Sequence, residues 1–278
     1  MTPSSRTDER LLLAIDISNT GIKFGIWPGR RDELLARWRI ATDREKTTDE
    51  YAMLLAELCR HAGLQLDAIA AVILASVVPP LTSVFQELST RYLGHEPIVI
   101  THQMDLGIRL LVDNPWETGA DRMISALATH RIYGGPAIVI QFGTATSFDC
   151  VSPEGDFLGG AIAPGLGISA EALARAASRL YQVELAPPPA ALGTNTIHSM
   201  QSGIVYGHVG LVEGLVSRLR AELPGGERAR VIAHGGLADL IARVTPCIDV
   251  IDPNLILRGL RLAYLHLQTP EGETFHAT

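Results

Sequence analysis

Two regions of the sequence show the same order of features: an apolar run ends at a turn of small and hydroxyl residues, and a second apolar run follows. The turns lie at 18–21 and 143–146, and the runs around them cover 11–17, 22–27, 137–141 and 146–151. Two apolar runs joined by such a turn predict a hairpin of core strands. The two regions share no strict sequence repeat, but their common plan predicts a duplicated α/β chain.

The elements that follow each hairpin are also similar in order. Third strands are predicted near 37–41 and 156–163, and further strands at 71–77, 97–101 and 230–233. Helices are predicted at about 47–61, 79–92, 119–133, 169–180, 196–223 and 253–266. We therefore expect two mixed-sheet halves, at 11–115 and 116–267, with an interdomain cleft in which ligands collect. A polar N-terminal tail is expected at 1–10 and a C-terminal tail at 268–278.

Composition excludes several classes of protein. Hydrophobic residues make up 47% of the chain and charged residues 19%, which excludes a disordered protein. The 23 Lys and Arg residues against 30 Asp and Glu residues give a formal net charge of −7, which opposes nucleic-acid binding. The densest basic stretch, at 37–44, includes Asp43 and is interpreted as ordinary solvated surface.

Cysteine and histidine spacing argues against disulfides and zinc. The three cysteines are far apart and odd in number, so we expect buried thiols in a reducing compartment. His198 and His208 are not spaced as a zinc-binding pair. The apolar run at 11–17 is too short to cross a membrane. We expect a cytoplasmic protein that binds neither membrane nor nucleic acid.

The first turn carries a carboxylate at the end of a buried strand. Asp16 precedes the turn 18–21, and Lys23 follows it. A buried carboxylate requires a cation or hydrogen-bond donors, and hydroxyl and backbone N–H groups in a tight turn bind phosphate oxygens. The segment therefore fits Mg²⁺ and a nucleotide. A hairpin turn whose backbone N–H groups bind Asp16 is an equally good interpretation.

Two further glycine elements fit a nucleotide. The turn at 143–146 again combines glycine with hydroxyl residues, and two such turns would hold a triphosphate from both sides. Neither turn is a Walker-type loop, because neither has the GxxxxGK[ST] pattern. Gly235 and Gly236 stand between a strand and a helix, where adenine could approach closely, although they also fit a simple strand-to-helix turn.

Asp121 and Arg122 open a predicted helix after a Pro- and Gly-rich loop. Asp121 at this place fits an ordinary helix N-cap. Its neighbour supports a second interpretation, in which Arg122 binds a substrate carboxylate and Asp121 accepts the proton of a substrate hydroxyl. That pair of groups is what a small-molecule kinase requires.

From about Leu11 to Leu265 the sequence resembles the type III pantothenate kinases, of the acetate and sugar kinase, heat-shock cognate and actin superfamily. The resemblance implies a duplicated ribonuclease H-like, actin-like ATPase fold. It rests on five motifs in their order, which are Asp16-Ile17-Ser18-Asn19-Thr20, Gly119-Ala120-Asp121-Arg122, Gly143-Thr144-Ala145-Thr146, Leu158-Gly159-Gly160-Ala161-Ile162-Ala163-Pro164-Gly165 and Gly235-Gly236-Leu237.

The resemblance implies an ATP-dependent kinase that phosphorylates the primary hydroxyl of pantothenate, the first step towards coenzyme A. It makes Asp121 the general base and Asp16 a ligand of Mg²⁺. The implied ATP-binding residues are Asp16, Asn19, Thr20, Lys23, Gly143, Thr144, Ala145, Thr146, Gly235 and Gly236. The implied pantothenate-binding residues are Gly119, Arg122, Gly159, Gly160 and Ala177. Relatives are usually homodimers whose partner subunit completes the pantothenate site, and many require K⁺ or NH₄⁺.

Four positions depart from the family pattern. Ser18 replaces a glycine, and Gln141 replaces an aspartate that the family associates with the monovalent cation. Ala177 replaces a threonine offered to pantothenate across the dimer, and His234 replaces a threonine before the paired glycines. An active kinase is one expectation. The alternative is a weakened or inactive relative that acts as a ligand-binding or regulatory accessory protein.

A stripe of glycines lies on the long helix predicted at 196–223. Gly203, Gly207, Gly210 and Gly214 are three or four residues apart, so another helix could approach closely. Packing within the domain and a dimer interface explain the stripe equally well.

Overall fold

The structure, a computed structural model, describes residues 10–29 and 31–268. The described chain divides into two compact units: unit 1 contains 10–107, 116–128 and 256–268, and unit 2 contains 108–115 and 129–255. Each unit therefore draws on separated parts of the chain, whereas the sequence pattern leads us to expect contiguous halves. The expected tails lie outside the described residues, except for Arg10 and Gln268.

Unit 1 is built on a mixed five-stranded sheet in the order β3-β2-β1-β4-β5. The strands are β1 Leu11–Ile17, β2 Gly21–Pro28, β3 Ala36–Ala41, β4 Ile69–Ser76 and β5 Ile98–Val99. β1 pairs antiparallel with β2 and parallel with β4, and β2 pairs antiparallel with β3. The predicted hairpin and third strand are confirmed.

The helices of unit 1 begin where the sequence supplies capping groups. Two lie wholly in this unit: α1 Thr48–His61, and α2 Pro79–Leu88, which is followed by a π-helical turn at Ser89–Leu93. Two others are shared with unit 2: α3 Ala120–Tyr133, whose residues up to 128 belong to unit 1, and α8 Leu255–Leu267, which belongs to unit 1 from Ile256 onward. Thr47 and Glu50 form a capping box at the start of α1. Proline occupies the first turn of α2, where its missing N–H costs nothing. α1 and α2 cover one face of the sheet through Tyr51 and Phe85.

Unit 2 repeats the sheet of unit 1, with the order β10-β9-β6-β7-β8. The strands are β6 Ala137–Phe142, β7 Ala145–Val151, β8 Phe157–Pro164, β9 Arg230–Gly235 and β10 Val250–Ile251. The first three again pair antiparallel, and β9 pairs parallel with β6. Because strand order and direction agree in the two sheets, the predicted duplication is confirmed.

The helices of unit 2 differ from the prediction in their limits. They are α4 Leu166–Ala176, α5 Thr196–Gln201, α6 Gly207–Glu222 and α7 Ala238–Ala242, with a π-helical turn at Ser202–Tyr206 between α5 and α6. The predicted start of α4 at Ser169 is wrong, because Gly165 is the N-cap and the Ser169 hydroxyl donates to the Gly165 carbonyl at 3.0 Å. The helix expected after Gly236 is α7, for which the sequence pattern gave no limits, and β10 was not predicted, because both are too short to show periodicity.

Candidate active site

Asp16 lies in a row of polar side chains that crosses the sheet of unit 1. In the strand register Asp16 of β1 pairs with Lys23 of β2, and Lys23 pairs with Arg39 of β3. Paired residues of neighbouring strands project from the same face, so the three side chains are neighbours. Lys23 Nζ donates to Asp16 Oδ2 at 3.0 Å, and Asp16 is 1% exposed. The buried carboxylate therefore has a cationic partner in the neighbouring strand.

Burial raises the pKa of Asp16 above its ordinary value. The nearby Lys23 ammonium partly offsets this rise, and the charge of Asp121 adds to it. A further cation would stabilise a carboxylate in these surroundings, because burial disfavours its charged form and only one ammonium compensates that charge. This property fits the role of a metal ligand.

The turn at 18–21 is closed by its own serine. The Ser18 N–H and hydroxyl donate to the Gly21 carbonyl at 3.1 and 2.8 Å, and the Thr42 hydroxyl donates to the Ser18 carbonyl at 2.6 Å. The Ser18 side chain is therefore used inside the turn. Asn19 and Thr20 remain exposed at its tip.

Asp121 lies in the first turn of α3 rather than at its cap. The helix begins at Ala120, so the N-cap interpretation of Asp121 is wrong. Its Oδ1 accepts the backbone N–H of Arg122 at 2.9 Å. A Cβ on Gly119 would lie 2.6 Å from that oxygen, so the glycine provides the space that the carboxylate occupies. Because the charge of Asp121 acts on Asp16, the two carboxylates lie near each other in unit 1.

The second turn, in unit 2, offers mainly backbone groups. The Gly143 N–H donates to the Ala145 carbonyl at 3.0 Å, and Gly143 is exposed while Thr144 and Ala145 are half-buried. Thr146 is fully buried, and its hydroxyl oxygen lies 3.0 Å from Nε2 of His208. The side chain of Thr146 therefore faces the helical layer, and its backbone is what a ligand at the turn would meet.

Two of the departures from the family pattern are neighbours in the sheet of unit 2. Gln141 of β6 pairs with His234 of β9 on one side and with Ser147 of β7 on the other. His234 is 1% exposed and Gln141 is half-buried. The amide and the imidazole consequently occupy one polar row.

Gly235 and Gly236 have different structural requirements. Gly235 has φ +105°, and a Cβ there would lie 2.3 Å from the Phe142 carbonyl oxygen. A Cβ on Gly236 would meet no atom of the described residues within 4 Å. The fold therefore explains the first glycine, whereas no contact of the described residues requires glycine at the second position.

This difference predicts opposite effects of two neighbouring substitutions. Gly235→Ala should lower the free energy of unfolding by at least about 2 kcal/mol, because it combines a positive φ with a backbone clash. Gly236→Ala should leave stability unchanged and raise the KM for ATP by about tenfold, since a methyl group would intrude between backbone and base. Urea unfolding and ATP titration of both variants would measure the two effects. An unchanged KM in Gly236→Ala would contradict a base site here.

The segment expected to shape a substrate pocket is part of β8. Gly160 pairs with Asp149 of β7, and a Cβ on Gly160 would lie 1.7 Å from the Phe148 carbonyl oxygen. Ala177 is the half-buried C-cap of α4. The expected site residues thus divide between the units, with Asp16, Asn19, Thr20, Lys23, Gly119, Asp121 and Arg122 in unit 1 and Gly143, Thr144, Ala145, Thr146, Gly159, Gly160, Ala177, Gly235 and Gly236 in unit 2.

Arg39 and Arg44 lie at the turn 18–21. Both belong to the basic stretch at 37–44 that was interpreted as ordinary surface. Arg44 Nη2 donates to Asn19 Oδ1 at 2.9 Å. The Arg39 guanidinium lies beside Gly21, where a Cβ would be 2.8 Å from Nε. Sequence reasoning missed both, because they follow the turn by about 20 residues. The pairing of β3 with the hairpin brings Arg39, and the loop after β3 that carries Arg44, to the turn. This pairing was the only feature that could have indicated the two arginines.

The described residues contain no group of three or more His, Cys, Asp and Glu side chains placed to hold a metal. Mg²⁺ at a nucleotide site is commonly held by one or two carboxylates together with phosphates and water, so Asp16 is a sufficient donor. Every helix in the described part of the chain is too short or too polar to span a membrane.

Comparison with known proteins connects these features with a kinase family. The family model of type III pantothenate kinases matches residues 12–218. A type III pantothenate kinase of Moorella thermoacetica is 50% identical over 254 residues, which cover 91% of this chain and 98% of that relative.

Solved structures support the fold. A Baf family protein of Campylobacter jejuni has a TM-score of 0.57 at 18% identity, over 92% of this chain and 98% of that chain. The inorganic polyphosphate/ATP-glucomannokinase of an Arthrobacter strain has a TM-score of 0.51 at 18% identity, over 93% and 99% of the two chains. With the repeated sheet order, these likenesses show the expected duplicated ribonuclease H-like, actin-like fold.

Proposed function

The chain belongs to the type III pantothenate kinase family, and from this membership we infer that it phosphorylates pantothenate with ATP as the first step of coenzyme A synthesis. The products are ADP and 4′-phosphopantothenate. We place the reaction in the cytoplasm. None of the contacts among the described residues favours the alternative of a non-catalytic accessory protein.

Asp121 would act as the general base. Its carboxylate accepts the proton of the primary hydroxyl while that oxygen attacks the γ-phosphorus and the bridging oxygen leaves with ADP. The hydrogen bond from the Arg122 N–H orients one oxygen of this carboxylate. Arg122 would bind the pantothenate carboxylate through two parallel hydrogen bonds. Gly119, Gly159, Gly160 and Ala177 would line the pantothenate pocket.

The two turns would hold the phosphate chain. Asn19 and Thr20 supply exposed polar side chains, and Lys23 supplies a cation beside Asp16. The turn at 143–146 contributes backbone N–H groups, since the Thr146 hydroxyl is directed at His208. Gly235 and Gly236 would lie against adenine.

Asp16 would hold Mg²⁺, which neutralises charge on the phosphates during transfer. The donor fits because it is a buried carboxylate whose raised pKa reflects incomplete compensation of its charge. Lys23 would then be free to turn from Asp16 to a phosphate oxygen.

The observations that carry the proposal are that Asp121 and Asp16 lie in the same unit, that the charge of Asp121 contributes to the raised pKa of Asp16, and that Gly119 leaves space for the Asp121 carboxylate. The test is ADP release by the purified protein with and without pantothenate. We expect release to depend on pantothenate. ATP binding without pantothenate-dependent release would contradict the proposal.

The cation requirement should differ from that of relatives with aspartate at position 141. A neutral amide coordinates K⁺ more weakly than a carboxylate, so activity should depend little on K⁺ or be supported by a different cation. Gln141→Asp should lower the half-saturating K⁺ concentration by about tenfold. ADP release across K⁺, NH₄⁺ and Na⁺ would measure this. A steep K⁺ requirement in the unchanged protein would show that other groups hold the cation.

We further propose that the protein is a homodimer in which one face of α6 and of the π-helical turn before it forms part of the interface. Among the described residues, Cβ atoms on Gly203, Gly207 and Gly210 would contact nothing within 4 Å beyond the helix itself, so packing within the chain does not explain them. A groove of about 880 Å³ lies beside them and has a mainly apolar lining. Leu173 lines the groove and is 38% exposed.

Substitution of the groove tests the dimer. Leu173→Asp should shift the solution mass towards that of one chain, since it places a charge against an apolar surface. Leu54→Asp, on an exposed position of α1, is the matched control and should leave the mass unchanged. Light scattering after gel filtration distinguishes the two results. A Leu173→Asp variant with the mass of the unchanged protein would exclude this face.

A further inference from the structure

We propose that Arg39 and Arg44 bind the polyphosphate chain of the nucleotide, so that they and Lys23 form a cationic rim around the turn at 18–21. The inference rests on the proposed function, because it takes that turn as a phosphate site. The sequence alone assigns neither arginine a role. Three independent features support the proposal: the anchoring of Arg44, the space above Gly21, and the balance of charge.

Arg44 is held at the turn by the loop that carries it. The Thr42 hydroxyl donates to the Ser18 carbonyl at 2.6 Å, which fixes the loop against the turn. Tyr51 anchors the other side of the loop, because its hydroxyl donates to the Asp43 carbonyl at 2.7 Å and accepts the Asp43 N–H at 3.1 Å. The guanidinium of Arg44 therefore stays near Asn19 and has further N–H donors to offer.

Arg39 reaches the same turn from the sheet. It stands next to Lys23 in the strand register, in the row that begins at Asp16. Because Gly21 has no side chain, the Arg39 guanidinium can lie over the turn. A Cβ on Gly21 would lie 2.8 Å from Arg39 Nε. Arg39 is thereby placed on the face of the sheet that carries Asp16.

The charge of the two arginines is not neutralised within the described part of the chain. Neither forms an ion pair there, whereas the exposed Arg60 pairs with Glu57. Of the two acidic residues that flank Arg44 in the sequence, Asp43 and Glu45, the first binds Lys46 at 2.8 Å. Unpaired guanidinium groups beside exposed hydroxyl and amide groups favour a multiply charged anion, and their planar donors fit phosphate oxygens.

The test compares Arg39→Gln and Arg44→Gln with Arg60→Gln, which removes the same charge from an exposed helix. The probes are ATP and inorganic triphosphate, titrated by calorimetry at low and moderate salt. Arg39→Gln and Arg44→Gln should each weaken the binding of both probes by about tenfold and reduce the dependence of binding on salt. Arg44→Lys should recover part of the loss. Arg60→Gln should bind as the unchanged protein does.

Each outcome separates the inference from the proposed function. If Arg44→Gln and Arg39→Gln bind ATP and triphosphate as Arg60→Gln does, the inference is overturned while pantothenate-dependent ADP release stands. A loss for ATP without a loss for triphosphate would also overturn it, because the effect would then lie outside the phosphate chain. If the unchanged protein releases no ADP with pantothenate but both arginine variants lose triphosphate binding, the proposed function fails and the phosphate rim stands. Unfolding midpoints of the free variants exclude a folding defect.

Discussion

Asp121→Asn is expected to reduce kcat for pantothenate-dependent ADP release by about 10²- to 10⁴-fold, the usual contribution of a general base. The amide has the shape of the carboxylate and still accepts the Arg122 N–H through its oxygen, so the first turn of α3 should stay intact. It cannot accept the substrate proton. The KM for ATP should change by no more than about twofold, because the residue acts on the acceptor.

Asp67→Asn is the matched control for this substitution. Asp67 is exposed in a short 3₁₀ turn at Leu66–Ala68, and its substitution removes the same charge. Its kcat should equal that of the unchanged protein. Steady-state kinetics with each substrate varied would measure both variants. Turnover by Asp121→Asn at the rate of the Asp67→Asn protein would show that another group takes the proton.

Asp16→Asn is expected to abolish measurable turnover and at the same time to stabilise the protein free of Mg²⁺ at neutral pH. Activity is lost because a neutral amide is a poor ligand for Mg²⁺. Stability rises because burial raises the pKa of Asp16 in the folded chain, with Lys23 only partly compensating and Asp121 adding to the rise. The ionised carboxylate is therefore less favourable in the folded than in the unfolded protein.

The sign of the pH dependence follows from this raised pKa. Below the unfolded-state value of about 3.9 the carboxyl is protonated in both states, and Asp16→Asn should have little effect. As pH rises from there to the folded-state pKa, the unfolded chain loses its proton first and the unchanged protein loses stability. Above the folded-state pKa the advantage of Asp16→Asn stays constant.

Urea unfolding of both proteins at acidic and neutral pH, in buffer with a chelator, would measure the stability effect. Thermal unfolding with Mg²⁺ and ATP would measure the ligand effect, which should stabilise the unchanged protein but not Asp16→Asn. A variant less stable than the unchanged protein at pH 7 without Mg²⁺ would show that the ion pair with Lys23 outweighs the burial of the carboxylate.

Prediction from sequence succeeded where the signal is local. The hairpin strands were predicted because their apolar runs are continuous and their turns contain glycine and hydroxyl residues. The helix α1 was predicted because residues 47–50 supply N-cap and first-turn side chains, and in the structure Thr47 and Glu50 form a capping box. The start of α4 was predicted too late, at about Ser169, because its N-cap is Gly165, which has no side chain to mark the position. Asp121 was interpreted as an N-cap because it stands near the start of a predicted helix, but the helix begins one residue earlier.

The motifs of the sequence by themselves determined the family, the duplicated plan and the choice of Asp16 and Asp121, since each is encoded by residues adjacent in the chain. Only the tertiary structure decided which side chains from other parts of the chain lie beside these motifs. Strand pairing placed Lys23 and Arg39 beside Asp16, a loop anchored on Tyr51 carried Arg44 to Asn19, and the packing of α6 directed Thr146 to His208. These contacts join residues far apart in sequence, and they depend on register and packing rather than on local residue preference.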